Sequence, residues 1–488
     1  MPTFRVRLQH LVDDVLAKLG TTQDVQSAFQ LAEWLATLLW RNYGGIYRLD
    51  ELETTLLGKI PRPALPPSAT GQNLDHEIHL ATAVYRSGGH SPLMGHLIRQ
   101  ADRPTAVLLT RMQDLDTVAT VLGVAVDQVH SVDHEAPLVA KVHALVGLLI
   151  RSNRVIASIH PNDVLAALAL RMAKELRSDL QIGFVNHADH VFSVGIGAAD
   201  HVLEISAYGW GLRQARRTEA KSSFIGIPIQ PRALNHLGIA DRSAPVFLSG
   251  GSPYKFRPQP GMSLPPVLSK LLAEHSNATL TVLGPKSRDW WWWALRVRRG
   301  RRARVQQAIP KERYQQLLST CTVYIDSHPI LGGTALPEAL MSGCHVAGIR
   351  GVAWGYSLAD ELLSPDPDSF LAACAKLVQH DAETLVRQQE VRSSCKQLHE
   401  PARVRCRLSA AFSGQLVAPP FDAADLAADH ARPLESHWER GAHLIHPGKN
   451  ECPLAPKEKQ WLAFRHLLHF GPFSWSTLKL LFYAFARV

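Results

Sequence analysis

The stretch Tyr324–Val346, YIDSHPILGGTALPEALMSGCHV, decides the reading of the whole chain. An apolar run, Val323, Tyr324 and Ile325, passes into Asp326, breaks at Pro329, turns through Gly332 and Gly333, and presents Thr334 before a helix-like run that holds Glu338. A strand that hands over to a helix through glycines has a physical use. The first helical turn carries unpaired N–H groups and the positive end of the dipole, and glycines let the backbone close on an anion such as phosphate. Thr334 can cap the helix or give its hydroxyl to that anion. Glu338, one turn on, can accept from ribose hydroxyls. An ordinary strand, turn and capped helix accounts for the same residues equally well.

Size and composition narrow the field. At 488 residues the chain is too long for one core, so two or three domains are expected. With 46% hydrophobic and 19% charged residues it reads as globular. Cys321, Cys344, Cys374, Cys395, Cys406 and Cys452 are scattered without metal-site spacing, which predicts reduced thiols, a cytoplasmic setting and no metal site. The start, MPTFRVRLQHLVDDVL, has no apolar signal core, and nowhere do about 18 apolar residues run uninterrupted. Secretion and membrane spanning are therefore not expected. Lys and Arg number 52 against 43 Asp and Glu, an excess of 9 that favours an anionic partner: a nucleotide, a membrane surface or a nucleic acid.

Along the chain, residues 1–70 read as a helical extension, with Leu8, Val12, Val15, Leu16 and Leu19, then Phe29, Leu31, Leu35, Leu38 and Leu39, near helical spacing. PRPALPPSATG, Pro61–Gly71, reads as a linker. From about residue 76 short apolar strands alternate with helices, as in a parallel sheet with crossovers; strands are expected at Thr105–Leu109, Val155–Ile159 and Ile182–Val185. A second block opens with Pro245–Gly250, continues at Thr279–Gly284 and Val323–Asp326, and ends near 410. Two doubly wound domains in series put a ligand cleft at the carboxyl ends of their strands. Polar clusters collect at those ends: RSGGHSP (Arg86–Pro92), IHPND (Ile159–Asp163), NHADH (Asn186–His190) and SGGSPYKFRP (Ser249–Pro258).

These motifs resemble a family. IDSHPILGGTALPEALMSGCHVAG is similar to the glycine-threonine segment of protein O-GlcNAc transferases and their SPINDLY-like relatives. RARVQQAIPKERYQQLLSTCTVYID resembles the stretch before it in that family, SPYKFRP matches its Tyr-Lys loop, and RSGGHSP its Gly-Asn-His-Pro turn. Together they cover roughly residues 90–410 in the family's order. The resemblance implies an α/β fold of GT-B type, two Rossmann-like doubly wound domains facing a cleft with a nucleotide-sugar between them. It divides the chain into the helical extension 1–70, an acceptor-side domain 71–240, a nucleotide-sugar domain 241–410 and a C-terminal helical segment 411–488 that returns to the first domain or lies at a membrane surface.

The resemblance also implies roles. Lys255 would bind the donor diphosphate with Gly332, Gly333 and Thr334, and Ser252 in the same loop would join the donor site; Glu338 would hold the ribose; Ile309, Pro310 and Lys311 would lie against uracil. The leaving nucleoside diphosphate gains negative charge, which a fixed ammonium and helix N–H groups can stabilise without a metal. No cofactor is expected beyond the nucleotide-sugar co-substrate, a UDP-sugar. Retaining GT-B enzymes commonly carry a second glutamate eight positions earlier, but here that position is Ile330, which points to an inverting mechanism. Inversion needs a base, and His90, His187, Asp189 and His190 are the candidates. His90 is equally placed to hold the diphosphate or the sugar, and Asp189 to orient a neighbouring imidazole.

Departures from the family pattern bear on the acceptor. Ala335 replaces a second threonine, His345 stands where the family has proline, and no tandem repeats of about 34 residues precede the catalytic block. A cell-surface glycan or lipid-linked saccharide is therefore the favoured acceptor. A protein acceptor, a sugar-nucleotide epimerase or hydrolase, and a non-catalytic nucleotide-sugar-binding partner are the alternatives. RDWWWWALRVRRGRRARV, Arg288–Val305, sets four tryptophans beside six arginines between 296 and 304, and Trp461–Val488 is rich in Trp, Phe and Leu. Both suit an anionic membrane surface, at the inner face of the cytoplasmic membrane. The first also reads as a solvated basic loop, and nucleic acid is the least favoured of its partners. The second also reads as a helix packed on the first domain.

Overall fold

The structure is a computed structural model and describes residues 3–42, 44–64, 74–85, 89–216, 218–230, 244–259, 261–351, 354–420, 444, 446–447 and 452–471. The linker from residue 65 to 71, Arg86 to Gly88 of the Gly-Gly-His turn, and the tail from residue 472 lie outside them.

Two parallel sheets carry the architecture. The first comprises β1 (Leu74–Ala81), β2 (Thr105–Leu109), β3 (Val129–Ser131), β4 (Ser152–Ser158), β5 (Gln181–Asn186), β6 (His201–Glu204) and β7 (Lys221–Phe224), in spatial order β3-β2-β1-β4-β5-β6-β7. The second comprises β8 (Val246–Gly250), β9 (Thr279–Leu283), β10 (Ala303–Gln306), β11 (Val323–Ile325) and β12 (His345–Ala347), ordered β10-β9-β8-β11-β12. Every pairing between these strands is parallel. The order reverses between β1 and β4 and again between β8 and β11. At such switch points neighbouring loops leave in opposite directions and open a crevice.

The expected strands lie where their apolar runs stand, within a residue or three at each end, because strands buried on both faces read as continuous apolar runs. Short strands such as β3, β11 and β12 take their shape from neighbours: Ile325 pairs with both Ser249 and Ala347.

Helices Phe4–Thr21 and Val25–Arg41 are capped by Thr3 and Asp24 and, with Asp50–Leu57, bury Leu8, Val12, Phe29, Leu35 and Leu52 in one core with the helix Val164–Leu176 behind the first sheet. Another cluster runs from Leu93, Ile156 and Val185 of the first unit to Tyr324 and Leu336 of the second. The helix Pro401–Phe412 straps the two together. Arg405 on it donates to both carboxylate oxygens of Glu77 at 2.7 and 3.0 Å and to Asp102 at 3.0 Å, and Phe412 packs on His201. The helix Pro456–Phe470 lies against the first helix, where Phe470 meets Phe4 and His469 meets Asp14 at 2.6 Å. Among the described residues no helix is long and apolar enough to cross a membrane.

Candidate functional site

The loops after β8 and β11, neighbours at the second switch point, build one wall. Ser252 opens a single helical turn, Pro253–Phe256, and its carbonyl accepts from Lys255 N at 3.0 Å. Phe256 is buried edge-on against Trp292, with ring centroids 5.6 Å apart, so this anchored turn sends Lys255 the other way. Lys255 Nζ donates to the carbonyls of Leu331 at 2.7 Å and Gly332 at 3.2 Å. Gly332 N in turn donates to both carboxylate oxygens of Asp326, 3.0 Å each, and a side chain at Gly332 would run into that carboxylate. Gly333 sits at φ 67°, the left-handed region that glycine tolerates.

The electrostatics of this wall are tense. Burial pushes the Lys255 amine below its ordinary value, opposed by Asp326 nearby. Burial likewise pushes Asp326 up to about 6, against the Gly332 N–H, Lys255 and the Ser327 N–H. No ion pair within 4.0 Å joins Lys255 to a carboxylate among the described residues. A half-buried ammonium whose hydrogen bonds go to neutral carbonyls, with Asp326 as its nearby opposite charge, retains capacity for an anion.

Of the two uses open to Thr334, capping the helix or giving its hydroxyl to an anion, the first is not taken up: its side chain makes no capping bond. The reason is positional: the chain leaves Gly333 so that Thr334 faces the first domain, where a β-carbon on Gly89 would stand 3.1 Å from Thr334 Cγ2 and 3.5 Å from its Oγ1. Glu338 lies one turn on, its backbone N–H on the Thr334 carbonyl at 3.0 Å, and its charge is among the influences that hold up the buried Tyr314 hydroxyl. Tyr314 belongs to the helix Lys311–Leu318, which Pro310 precedes; Ile309 is half-buried on the same cluster, and of Lys311 only the backbone is described.

The opposite wall comes from the first switch point. His90 opens the helix His90–Arg99 after β1, and its Nε2–H donates to the carbonyl of Ser158 at the end of β4, 2.7 Å away. That bond leaves Nδ1 as the lone-pair nitrogen of a neutral ring. His187, just past β5, stacks at a tilt on His90 with centroids 4.5 Å apart. Burial lowers the pKa of His90, and burial and then His90 hold His187 well below the ordinary imidazole value, so both rings are neutral at pH 7. His160, after β4, is also depressed by burial and has its Nδ1 on Asn162. Asp163 fixes these loops by accepting from the Thr82 and Thr110 hydroxyls and capping its own helix at Ala166 N.

The other two base candidates have different surroundings. Asp189 is buried, accepts from the Ser206 hydroxyl, and meets His190 Nδ1 at 3.2 Å, so it does orient one flanking imidazole. Next to it Arg216 joins the buried Glu204, the Gly209 carbonyl at 2.8 Å and the Asp189 carbonyl at 3.4 Å. That network braces the loop.

Beside the loop after β11, Ile330, Met262 and Tyr356 of the second unit pack on Tyr47, Tyr208 and Leu212. Tyr47 and Leu212 also line a cavity of about 850 Å³ between the first helix, the segment from 44 to 51 and the short helices after β6, with Arg5, Gln9, Arg48 and Gln214 on its walls.

No protein-family model matches the chain, and no curated protein does. Solved structures do. A mutant O-GlcNAc transferase of Thermobaculum terrenum superposes with a TM-score of 0.54 at 14% identity, over 82% of this chain and 78% of that one. HepE of Anabaena in complex with UDP gives 0.54 at 14% identity, over 70% of this chain and 100% of that one. The lipopolysaccharide outer core galactosyltransferase WaaB in its apo form gives 0.52 at 16% identity over the same shares, 70% and 100%. The fold is GT-B.

Within that GT-B frame Lys255, Gly332, Gly333 and Thr334 meet on one wall and His90 and His187 on the other. Four residues that complete it are given no role by the sequence. Asp326 stood in the opening motif without a role; its signal was an acidic residue ending an apolar strand. Asp163 closed the polar cluster Ile159–Asp163 without a role of its own, while Tyr314, three residues past Lys311, and Thr82 gave no signal, because their importance rests on contacts between separate strands' loops.

Proposed function

We propose that the chain is a glycosyltransferase that binds a UDP-sugar between the loops after β8 and β11 and moves the sugar, with inversion and without a metal, to an acceptor hydroxyl. The observation that carries this reading is the Lys255 ammonium: half-buried, turned onto the Gly332 turn, without a carboxylate within ion-pair distance among the described residues, and beside the point where Thr334 faces Gly89. A diphosphate satisfies such a cation. In the reaction the acceptor hydroxyl loses its proton to a base as its oxygen attacks the anomeric carbon. The bond from that carbon to the β-phosphate oxygen breaks, and Lys255 stabilises the charge arriving on the diphosphate.

His90 is the favoured base, because its Nδ1 is the free nitrogen of a neutral ring one residue from the Gly89–Thr334 contact. The motif order supports kinship with the O-GlcNAc transferase and SPINDLY-like enzymes. The 850 Å³ cavity, whose wall residues Tyr47 and Leu212 pack with Ile330, favours a glycan or lipid-linked saccharide as acceptor. All six cysteines are free thiols, as suits a cytoplasmic enzyme.

The test is a panel of nucleotide-sugars scored by thermal stabilisation, for the unaltered protein and for Lys255→Ala. The expected result is stabilisation by a UDP-sugar that Lys255→Ala loses while melting as a folded protein; equal stabilisation of both would sink the donor site. Turnover then separates the classes. Transfer that needs acceptor supports the proposal, turnover without acceptor indicates an epimerase or hydrolase, and binding alone a non-catalytic module.

A further inference from the structure

We propose that the surface formed by Trp290, Trp293, Val297 and Arg298 with Arg301 and Arg304 docks the chain onto an anionic lipid bilayer.

The four tryptophans divide sharply. Trp292 is buried with Leu295 in the core of the second sheet, while Trp290 is 69% exposed, Trp293 58% and Val297 84%. Positions 290, 293, 294 and 297 recur at helical spacing, so Trp290, Trp293, Ala294 and Val297 form an outward apolar stripe along the helix Trp293–Arg299 and the turn before it. A helix in a water-soluble surface presents its polar face outward; here the outward stripe is apolar, and arginines rim it.

The arginines divide too. Arg296 donates to the Val305 carbonyl at 2.9 Å, Arg299 to Ser269 Oγ at 3.1 Å, and Arg302 to the carbonyls of Leu272, His275 and Ser276 at 2.8, 3.1 and 2.9 Å. These three hold the segment to the fold. Arg298, Arg301 and Arg304 are exposed, as are Lys286 and Arg288 beside Trp290, and none of the five has an ion-pair partner among the described residues. From residue 285 to 311 the only acidic residue is Asp289, which is buried and turned onto the Lys286 N–H at 2.7 Å. The outer face of this segment is therefore cationic with no compensating carboxylate from the segment itself.

Indole rings settle at the depth of lipid headgroups, apolar body inward and N–H outward, and arginines beside them meet anionic phosphates. Valine and alanine between the rings favour that boundary over a nucleic acid, where successive bases stack on aromatics and polar groups line the path. The segment also hangs from the cleft edge of the second sheet: it leaves β9 through Gly284, which packs so closely on Gly251 that a side chain there would strike the Gly251 carbonyl. Docking through it brings the cleft edge toward the bilayer. The inference stands on this surface alone and does not require the donor site.

The experiment floats the full chain with vesicles of phosphatidylcholine alone and of phosphatidylcholine mixed with phosphatidylglycerol, at low and high salt. The expected result is association with the mixed vesicles only, lost at high salt. The triple variant Arg298→Glu, Arg301→Glu, Arg304→Glu is expected to float at least about tenfold less, since each charge near an anionic surface contributes a severalfold effect. Trp290→Ser with Trp293→Ser is expected to lose quenching of tryptophan fluorescence by brominated lipid, with thermal melting unchanged in both variants. Lys255→Ala is expected to float like the unaltered protein, so failure of the donor reading leaves this result intact. No flotation, flotation unaffected by either variant, or equal binding to both vesicle types overturns the proposal. So does a patch whose variants alter only binding of single-stranded RNA or only self-association in sedimentation.

Discussion

Gly89 and Thr334 face each other across the cleft, one from each sheet's loops, at a spacing tight for a methyl group: a β-carbon on Gly89 would stand 3.1 Å from Thr334 Cγ2, so that side chain would have to give by a few tenths of an ångström. The φ of Gly89 is −84°, so its backbone would accept any residue and the constraint is one of space. Gly89→Val is expected to wedge the walls apart and weaken UDP-sugar binding about tenfold or more, an overpacking cost of roughly 1–3 kcal/mol. Adding Thr334→Ser, which deletes the clashing methyl and keeps the hydroxyl, is expected to recover part of that loss in a calorimetric titration.

The half-buried Lys255 and the buried Asp326 make no ion pair within 4.0 Å, yet the charge of each influences the other. Removing the carboxylate in Asp326→Asn takes away the one influence that raises the Lys255 pKa, so the amine should deprotonate at lower pH. Nucleotide affinity measured toward alkaline pH is expected to fall away earlier in Asp326→Asn than in the unaltered protein; superimposable profiles would detach Asp326 from Lys255.

Asp326 has a second consequence, for stability. Its folded pKa of about 6 lies above the ordinary 3.8, so in that window the folded state holds a proton that the unfolded state releases. Its contribution is most favourable below 3.8 and is lost as pH rises through about 6, a change on the order of 3 kcal/mol. Denaturant unfolding of the unaltered protein should therefore weaken across this window more than that of Asp326→Asn.

His90 is neutral at pH 7 because burial disfavours its charged form. If its Nδ1 takes the acceptor proton, kcat/KM should be level near neutrality and decline on the acid side with a midpoint below 6.5. His90→Asn is expected to lower turnover by about 10²- to 10⁴-fold with a small change in donor affinity. A turnover loss of the same size in His190→Asn, with His90→Asn active, would reassign the base.

Arg405 ties the strap helix to Glu77, which lies buried with His79 at 3.0 Å and Arg154 at 3.4 Å. Arg405→Met leaves Glu77 with a weaker set of partners and cuts the tie to Asp102. The expected loss is about 3–5 kcal/mol of unfolding free energy, read from the denaturant midpoint.

The sequence alone determined the alternation of apolar runs and helices, and with it two parallel sheets whose strand ends gather the chemistry. It also singled out Lys255, Gly332, Gly333, Thr334 and His90, because a cation, a flexible turn and an imidazole keep their chemical character wherever the fold puts them. Only the tertiary structure decided which of them meet. Strand order is set by pairing between segments far apart in the chain, and that order makes the loops after β8 and β11 neighbours and brings His90 from β1 to Ser158 on β4. The same long-range packing turned Trp292 inward and Trp290 and Trp293 outward, and sent Asp189 to Ser206 and His190. A run of identical side chains carries no mark of which will be buried. That is fixed by the helix phase against the sheet, which one sequence segment does not contain.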